Sequence, residues 1–417
     1  MSRNLRLFAG ATIIFYLIGA MNDAAALYVL AGICLAVIAG CYWLSRLAVA
    51  GLELRLHLPR TEVHAGTKVP VQITLRNIGL ISRPEPVISI PLQSRTIPGL
   101  GETVQITLPA LTSGATAEAT VEVLVPARGR WEIGPARLIG TDPLGMFHRP
   151  GPQAPSQLLL ALPEAFEVPW VWRQQLLSPA ARAMAAARTR HGGEFWGIRP
   201  HEPGDDLRHV HWKVTAHRGD LVVKEYARGR ELSAVLWLDL GSAGVVGSGR
   251  HSSLEMSLSM AASLIPALLH LDQAVALVGQ GLPASLAAPG RGEATAGRNL
   301  RALAEAQAHN GRAFSVLVAE QVREARPALT ALVITSGLEP GLEATLLAAA
   351  ARGLALRCMI LAPGTDLTAE QRARQEHLAG RLRHAGVPVA IGRDPRALPQ
   401  VLRELVDRQG LERAVGL

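Results

Sequence analysis

The chain is poor in cysteine and in aromatic residues. Among its 417 residues only three are cysteines, and 4% are aromatic. Cys34 and Cys41 lie seven positions apart in an apolar segment, and Cys358 lies in a separate apolar run. None of them has the Cys-x-x-Cys or Cys/His spacing of zinc sites, so we expect neither a disulfide framework nor a zinc centre. A reducing compartment is compatible with this usage.

Concentrated positive charge and several catalytic motifs are also missing. Lys and Arg outnumber Asp and Glu by 42 to 34, for a net charge of +8, but these cations are spread along the chain and form no polybasic run. We therefore expect no nucleic-acid partner. The sequence contains no GxxxxGK(S/T), GxSxG or HExxH motif, which excludes the P-loop, nucleophile-elbow and HExxH zinc-protease signatures.

Two long apolar runs stand at the beginning of the chain, over residues 5–21 and 24–44. Each is long enough, at about 1.5 Å per helical residue, to cross a hydrocarbon layer roughly 30 Å thick. Only Asn22 and Asp23 lie between them. A cleaved signal peptide followed by a buried helix is disfavoured, because there are two adjacent runs and no small-x-small cleavage pattern. Residues 1–47 are therefore predicted to form a transmembrane helical hairpin.

The flanking cations predict the orientation of this hairpin. Arg3 and Arg6 precede the first run, Arg46 follows the second, and the connecting turn carries only an acid. The positive-inside rule then places both termini in the cytoplasm, with the lipid bilayer as a partner. Tyr42 and Trp43 lie at the inner end, as interfacial anchors do. A periplasmic placement is the alternative, because Arg6 lies slightly inside the first run.

Two further domains are predicted from the patterning of apolar residues. Residues 48–150 contain short β-favouring runs with apolar and polar alternation, such as 71–75 and 104–108, which favours a β-sandwich. Residues 233–417 alternate strand-like runs with amphipathic helical ones, which predicts an α/β doubly wound, mostly parallel sheet. In such sheets ligands lie at the carboxyl ends of the strands. Residues 151–232 are interpreted as a connecting segment.

The connecting segment contains a dense motif over residues 192–231. Pro203 and Gly204 favour a turn, Asp205 suits a helix N-cap, and Gly219 suits the helix end before a strand at 221–223. One face of the predicted helix collects Leu207, Val210, His211 and Val214, and the other collects Arg208, His209, Trp212 and Lys213.

The order GxEFxGxRxHxPGDDxRxxxWKxTAxRGxLxVKEY in this segment resembles the signature of the bacterial domain-of-unknown-function family 58, and DPLGMF at 142–147 is similar to the same family's pattern. The resemblance implies a membrane-anchored chain with a von Willebrand factor A-like domain. It also implies a non-catalytic adaptor that works with a MoxR-type AAA+ ATPase, in envelope maturation or stress response. The residues expected to form the signature and to bind the partner are Arg199, Gly204, Asp205, Asp206, Arg208, Trp212, Lys213, Arg218, Lys224 and Glu225.

The von Willebrand A resemblance also raises the question of a Mg²⁺ site, because that fold often carries one built on DxSxS, a Thr and a later Asp. Asp239 matches the first acid, but Gly241 and Ala243 replace both serines. The remaining positions of this degenerate site are assigned to Ser242, Thr295 and, in place of the last acid, Ser336. With one carboxylate left for a hard cation, we expect no tightly bound metal and no cofactor.

Two alternatives to the adaptor stay open. One is a metal-dependent hydrolase that uses His201, Asp205 and Asp206, since imidazole and carboxylate bind Zn²⁺ or Mn²⁺. Against it, His209 and His211 on one helix point about 200° apart, and the two acids suit capping and ion pairing with neighbouring arginines. The other alternative is a structural scaffold for other envelope proteins, dependent on neither metal nor ATPase.

Overall fold

The computed structural model describes residues 2–83, 85–176, 195–202, 210–226, 233–271, 273–325 and 329–415. The chain divides into two compact units, Met1–Leu162 and Pro163–Leu417. The first unit combines the apolar helices with β-strands, and the second is an α/β domain.

Two helices, α1 (Arg3–Asn22) and α2 (Ala25–Leu47), open the first unit. Both are long and apolar enough to cross a membrane, and only 6% and 11% of their most apolar windows are buried. A soluble core helix would bury most of such a surface, so these side chains are suited to lipid. Asp23 takes a left-handed conformation (φ 47°) at the turn, and a Cβ at Gly19 would lie 3.2 Å from the Leu27 Cβ. The glycine therefore allows the two helices to approach closely.

Ten strands complete the first unit and form two sheets around one shared hydrophobic core. Alternate residues face this core, as in β3, because each sheet has one buried and one exposed face. The strands are β1 (Leu52–His57), β2 (Glu62–His64), β3 (Lys68–Asn77), β4 (Val87–Ser94), β5 (Gly101–Thr107), β6 (Thr116–Leu124), β7 (Gly129–Ile133), β8 (Ala136–Thr141), β9 (His148–Ala154) and β10 (Gln157–Leu162). One sheet has the order β1-β3-β6, and the other has the order β2-β10-β7-β4-β8-β9 with β5 beside β4.

The first unit ends later than the predicted boundary at residue 150. Strand β10 pairs antiparallel with β7, Leu159 facing Trp131, and both of these side chains are buried. Residues 157–162, which the sequence interpretation includes in the connecting segment 151–232, form β10 between β2 and β7 in the larger sheet.

Asp142 organises the loop between β8 and β9, which is the DPLGMF segment. Its carboxylate accepts hydrogen bonds from the backbone N–H groups of Phe147 at 2.6 Å and Leu144 at 3.0 Å. Burial alone would raise the pKa of Asp142, but the amides of Phe147 and Met146 outweigh it, and the pKa is lowered from 3.8.

Replacing Asp142 by asparagine is expected to lower the free energy of unfolding by roughly 1 kcal/mol at neutral pH. The reason is that the side-chain NH₂ of Asn would face backbone N–H groups that need an acceptor. A lowered folded pKa contributes stability above the unfolded pKa, and this is lost as pH falls through the folded pKa. The difference between wild type and Asp142→Asn should therefore shrink below pH 3.8. Thermal unfolding of both proteins across that range checks this; a difference independent of pH would contradict it.

The second unit is built on a five-stranded, fully parallel sheet with the order β14-β13-β15-β16-β17. Its strands are β13 (Ser233–Leu238), β14 (Ala274–Gly279), β15 (Thr330–Thr335), β16 (Ala355–Leu361) and β17 (Val389–Gly392). Its helices are α3 (Trp170–Leu176), α4 (Trp212–Arg218), α5 (Ser253–Leu269), α6 (Gly292–Glu305), α7 (Phe314–Glu324), α8 (Leu342–Ala351), α9 (Ala369–His384) and α10 (Leu398–Val415).

Helices cover both faces of this sheet. One core contains side chains of α3, α5, α6 and α10, and the other contains side chains of α7, α8 and α9. Strands β14 and β15 are therefore buried at every position, which is why they are continuous apolar runs. The predicted mostly parallel sheet with helices on both faces is confirmed.

Candidate functional site

Strands β13 and β15 lie side by side at the point where the strand order changes direction, since β13 continues to β14 on one side and β15 continues to β16 on the other. A crevice forms at the carboxyl ends of such a pair, and it is the usual ligand position in open α/β sheets. Asp239 follows β13, and Thr335 and Ser336 stand at the end of β15. The backbone N–H of Asp239 donates to the Ile334 carbonyl at 2.9 Å, so Asp239 lies beside the end of β15.

Asp239 is buried (8% exposed) and its carboxylate accepts three hydrogen bonds. Oδ2 accepts from Thr335 Oγ1 at 2.7 Å, and Oδ1 accepts from the Gly241 N–H at 3.1 Å and from Gln280 Nε2 at 3.4 Å. Burial raises the pKa of Asp239 above its usual 3.8, and the negative charge of Glu339 adds to this effect. The hydrogen bond from Thr335 opposes it without cancelling it.

The end of β15 is tied to the next part of the sheet. Thr335 Oγ1 accepts from the Gly337 N–H at 2.9 Å while it donates to Asp239. The Ser336 carbonyl accepts from Gln375 Nε2 at 2.7 Å, and Gln375 Oε1 accepts from Arg393 Nη1 at 2.8 Å. A polar chain therefore joins the ends of β15 and β17 through α9. The buried Ser336 hydroxyl has no hydrogen-bond partner among the described residues.

The loop after β13 packs directly on Asp239 and Ser336. A Cβ at Gly244 would lie 2.7 Å from Ser336 Oγ and 3.8 Å from Asp239 Oδ2, and a Cβ at Gly241 would lie 3.2 Å from Gln280 Nε2. The distance at Gly244 is too short for a Cβ unless Ser336 moves, whereas Gly241 has an ordinary φ of −64°. Asp239 and Ser336, two of the residues assigned to the degenerate site, are therefore neighbours.

The other two predicted positions of the degenerate site lie elsewhere. The Ser242 hydroxyl contacts the Asn310 Oδ1, and its N–H donates to the His309 carbonyl at 3.1 Å, so Ser242 faces the loop before α7. Thr295 lies one turn into α6, and Gly290 beside it pairs with Val275 near the amino end of β14. The assignment of Thr295 to this site is wrong, because α6 starts at the opposite end of the sheet and its hydroxyl donates to the Arg291 carbonyl at 2.9 Å.

The residues present do not fit a Mg²⁺ site. That ion needs near-octahedral coordination by hard oxygens, whereas the single carboxylate is already occupied by three donors and its pKa is raised. The loop above it carries no hydroxyl directed at Asp239. Within the described ranges no group of three or more His, Cys, Asp or Glu side chains could hold a metal.

The signature segment forms a second, separate structure within this unit. Strand β11 (Phe195–Pro200) pairs antiparallel with β12 (Val222–Tyr226), and α4 lies between them in sequence. His211 is the N-cap of α4, its Nδ1 accepting from the Val214 N–H at 3.4 Å. Gly219 ends the helix at φ 79°, and the Val222 N–H donates to Thr215 Oγ1 at 3.1 Å.

The predicted helix in this segment is too long. Val210 is not helical but forms an antiparallel bridge with Val223, so α4 begins only at Trp212. A buried valine can serve the apolar face of a helix or of a strand, and the sequence pattern alone does not distinguish them. The end of the helix at Gly219 and the following strand were predicted correctly.

Several signature residues stand on an exposed surface. Trp212 is 64% exposed, Lys213 is exposed, and Ile198 and Leu221 are 37% and 42% exposed. Arg199 is partly buried, donates to the Pro200 carbonyl at 3.1 Å and lies 4.0 Å from Glu202. Tryptophan is one of the residues that protein-binding surfaces favour. We refer to Ile198, Trp212, Lys213 and Leu221 as the signature surface.

The remaining signature predictions fall outside the described part of the chain. Gly204, Asp205, Asp206, Arg208 and His209 lie in 203–209, which the structure does not describe. Arg218 closes α4, and Lys224 and Glu225 lie in β12, but their side chains are likewise outside the described set. The hydrolase prediction at His201, Asp205 and Asp206 therefore stays a prediction.

Residues 197–364 match the model of a family described as protein of unknown function DUF58. This confirms the family resemblance carried by the signature, and the match extends through α5 to β16. No curated protein matches the chain at a significant level.

Solved structures resemble the chain only weakly. A Listeria innocua β-glucosidase in complex with gluconolactone is 21% identical over 26% of this chain and 16% of its own, with a TM-score of 0.20. A Pseudomonas fluorescens alkylpurine DNA glycosylase bound to DNA is 14% identical over 28% of this chain and 32% of its own, with a TM-score of 0.21. The CARDB domain of a Pyrococcus furiosus protein in complex with di-metal ions is 11% identical over 26% of this chain and 91% of its own, with a TM-score of 0.20. The chain spans less than a third of the first two, and likeness at this level carries no conclusion about activity.

Proposed function

Since residues 197–364 match the DUF58 family model, we propose that this chain is a membrane-anchored, non-catalytic adaptor that works with a MoxR-type AAA+ ATPase. Envelope maturation or stress response is the proposed setting. The β-sandwich and von Willebrand A-like descriptions of the two units belong to the same proposal. They are supported by the two sheets with one core and by the parallel sheet with Asp239 after its first strand.

The observation that carries the adaptor role is the signature surface. Trp212 exposes 64% of its surface in water, within the segment that identifies the family. A large amphipathic side chain in this state gains by being buried against a partner. The crevice at Asp239 offers no comparable case for catalysis, because its carboxylate is buried and already accepts three hydrogen bonds from neighbouring groups.

Capture of the ATPase tests this role. Full-length protein in lipid nanodiscs is mixed with a purified MoxR-type ATPase from the same organism, without nucleotide, with ADP and with ATP. Binding in at least one state is expected. Failure in every state would contradict the adaptor and leave the envelope scaffold, which requires no ATPase.

The proposed location is the bacterial inner membrane, with both termini in the cytoplasm. Arg3, Arg6 and Arg46 are exposed at the two helix ends on one side, and the turn at Asn22 and Asp23 carries no cation. A fluorescent protein that matures only in the cytoplasm should be bright when fused to the C-terminus, and periplasmic alkaline phosphatase should be inactive there. The same reporters inserted at Asp23 should give the opposite result. Phosphatase activity at the C-terminus would overturn this orientation.

A further inference from the structure

Exposed apolar side chains of the first unit are concentrated on two loops. Outside α1 and α2, its large hydrophobic residues with high exposure in the described part are Ile78, Leu80, Ile81, Leu124, Leu144 and Leu158. Four of these six lie on the loop between β3 and β4 or on the loop between β8 and β9. We call residues 78–81 the leucine loop and residues 142–147 the aspartate loop.

The leucine loop is attached to the end of α2. The N–H groups of Ile78 and Gly79 donate to the Gly51 carbonyl at 2.8 and 3.1 Å, and Arg83 Nη2 donates to the Ala50 carbonyl at 2.6 Å. A Cβ on Gly51 would lie 2.9 Å from the Gly79 Cα, so the two backbones are in direct contact. Since α2 ends at Leu47, the backbone that the loop contacts lies only a few residues after the last turn of an apolar helix.

The leucine loop is held in one conformation by buried polar groups. Asn77 is fully buried, and its Nδ2 donates to the carbonyls of Ile81 at 2.9 Å and Thr112 at 3.1 Å. Its Oδ1 accepts from the Gly79 N–H at 3.0 Å. Leu80 is nevertheless 94% exposed. A supported loop that displays a leucine at its tip is not accounted for by the packing of the first unit itself.

The aspartate loop is attached in the same way to the start of α1. Ser2 Oγ donates to the Met146 carbonyl at 2.8 Å, and Asn4 Nδ2 donates to the Leu144 carbonyl at 2.7 Å. The Leu144 side chain is 42% exposed. Each loop therefore presents exposed leucine beside the same end of the helical hairpin.

Cations and aromatic rings lie at this end of the hairpin. Arg3, Arg6 and Arg46 are exposed at the hairpin end, and the guanidinium groups of Arg46 and Arg149 lie 5.1 and 4.7 Å from the ring centroid of Tyr42. Tyr42 also packs edge-on against Phe147 of the aspartate loop, at 5.6 Å between centroids. Apolar tips among arginines and aromatic rings match the interfacial layer of a bilayer, which is about 5–7 Å deep on each side.

From these contacts we infer that the leucine and aspartate loops insert their leucines into the headgroup layer of the membrane that holds α1 and α2. The bilayer is the occupant because both loops are hydrogen-bonded to residues at one end of the two apolar helices. This inference rests on the proposed membrane anchoring. It adds that the first unit is seated on the lipid and not merely tethered to it.

Fluorescent labels in the full-length chain test the inference. Cys41 and Cys358 are buried, so Cys34 within α2 is the natural labelling position. Three proteins are labelled with one environment-sensitive maleimide: the native chain at Cys34, and two Cys34→Ala variants carrying Leu80→Cys or Leu124→Cys. Leu124 is exposed and faces Lys68 at the far end of β3, about 30 Å from Asn77 at 3.3 Å per residue. The label at position 124 is the matched control for nonspecific partitioning of the dye into the bilayer.

Each protein is reconstituted in phosphatidylethanolamine and phosphatidylglycerol vesicles, with or without phospholipids that carry a nitroxide quencher. One quencher is near the headgroup end of the acyl chain, for positions 80 and 124, and the other is near its terminal methyl, for Cys34 in the middle of α2. The label at position 80 should lose most of its emission and that at position 124 should keep it. Quenching at Cys34 with equal, weak quenching at 80 and 124 would overturn the inference and leave the anchoring intact. Absence of quenching at Cys34 would instead overturn the anchoring, and the inference with it.

Discussion

Trp212→Ala is expected to weaken capture of the AAA+ ATPase by about 30-fold or more, which corresponds to the roughly 2 kcal/mol of a tryptophan hot spot. The reason is that Trp212 offers the largest exposed apolar area of the described signature surface, at 64% exposure. Because it is exposed in the unbound protein, its loss should leave the thermal stability unchanged. Titration of wild type and variant against the ATPase, with unfolding measured in parallel, gives both readouts.

Trp170→Ala is the matched control. Trp170 is 56% exposed at the first position of α3, within the same unit, but it lies outside residues 197–364. Its replacement should leave capture unchanged. Equal weakening by both substitutions would indicate non-specific adhesion of exposed aromatics, and no weakening by Trp212→Ala would remove the signature surface from the proposal.

Asp239→Ala is expected to destabilise the second unit by roughly 2–4 kcal/mol, because it leaves the donors on Thr335, Gln280 and Gly241 without their acceptor in a buried crevice. For a unit of this size the melting temperature should fall by roughly 5–15 °C. The control is Asp394→Ala: Asp394 also follows a strand of this sheet and accepts from the Arg396 N–H, but it is exposed. A change below 1 °C for Asp239→Ala would show that the network is not structural.

The pH dependence of Asp239 has the opposite sign to that of Asp142. A carboxyl with a raised folded pKa binds its proton more tightly in the folded state than in the unfolded state. Its stabilising contribution is complete below the unfolded value of 3.8 and is lost as pH rises through the folded pKa. Relative to Asp239→Asn, wild type should therefore gain stability on acidification from neutral pH. A gain on alkalinisation would contradict the burial of this carboxyl.

Patterns that depend on the immediate neighbours in sequence were predicted well. The apolar runs at 234–238, 274–278 and 331–335 are strands, because helices bury both of their faces. The burial alternation of β3 likewise reflects one core face and one exposed face. In both cases the burial that other elements impose leaves a pattern that is visible within the element's own sequence.

Features that depend on distant parts of the chain were missed. Thr335 was passed over in favour of Ser336, although it is Thr335 that donates to Asp239. A usable signal existed, because Thr335 is the last residue of β15. In a parallel pair with β13 it lies opposite Asp239, the residue that follows β13. For Thr295 the sequence offers no such signal. Its position depends on the fact that α6 starts at the amino end of the sheet.

The core of the second unit also determines where the chain can be cut. Leu402 and Leu405 of α10 are completely buried, and Arg357 Nε of β16 donates to the carbonyl of Leu176 at 2.7 Å. A recombinant fragment limited to residues 197–364 would lose the edge strand β17 and the helices α3, α9 and α10. Both faces of the sheet would then be partly uncovered. Expression of 163–417 is the smallest choice that retains every layer, and shorter pieces should aggregate.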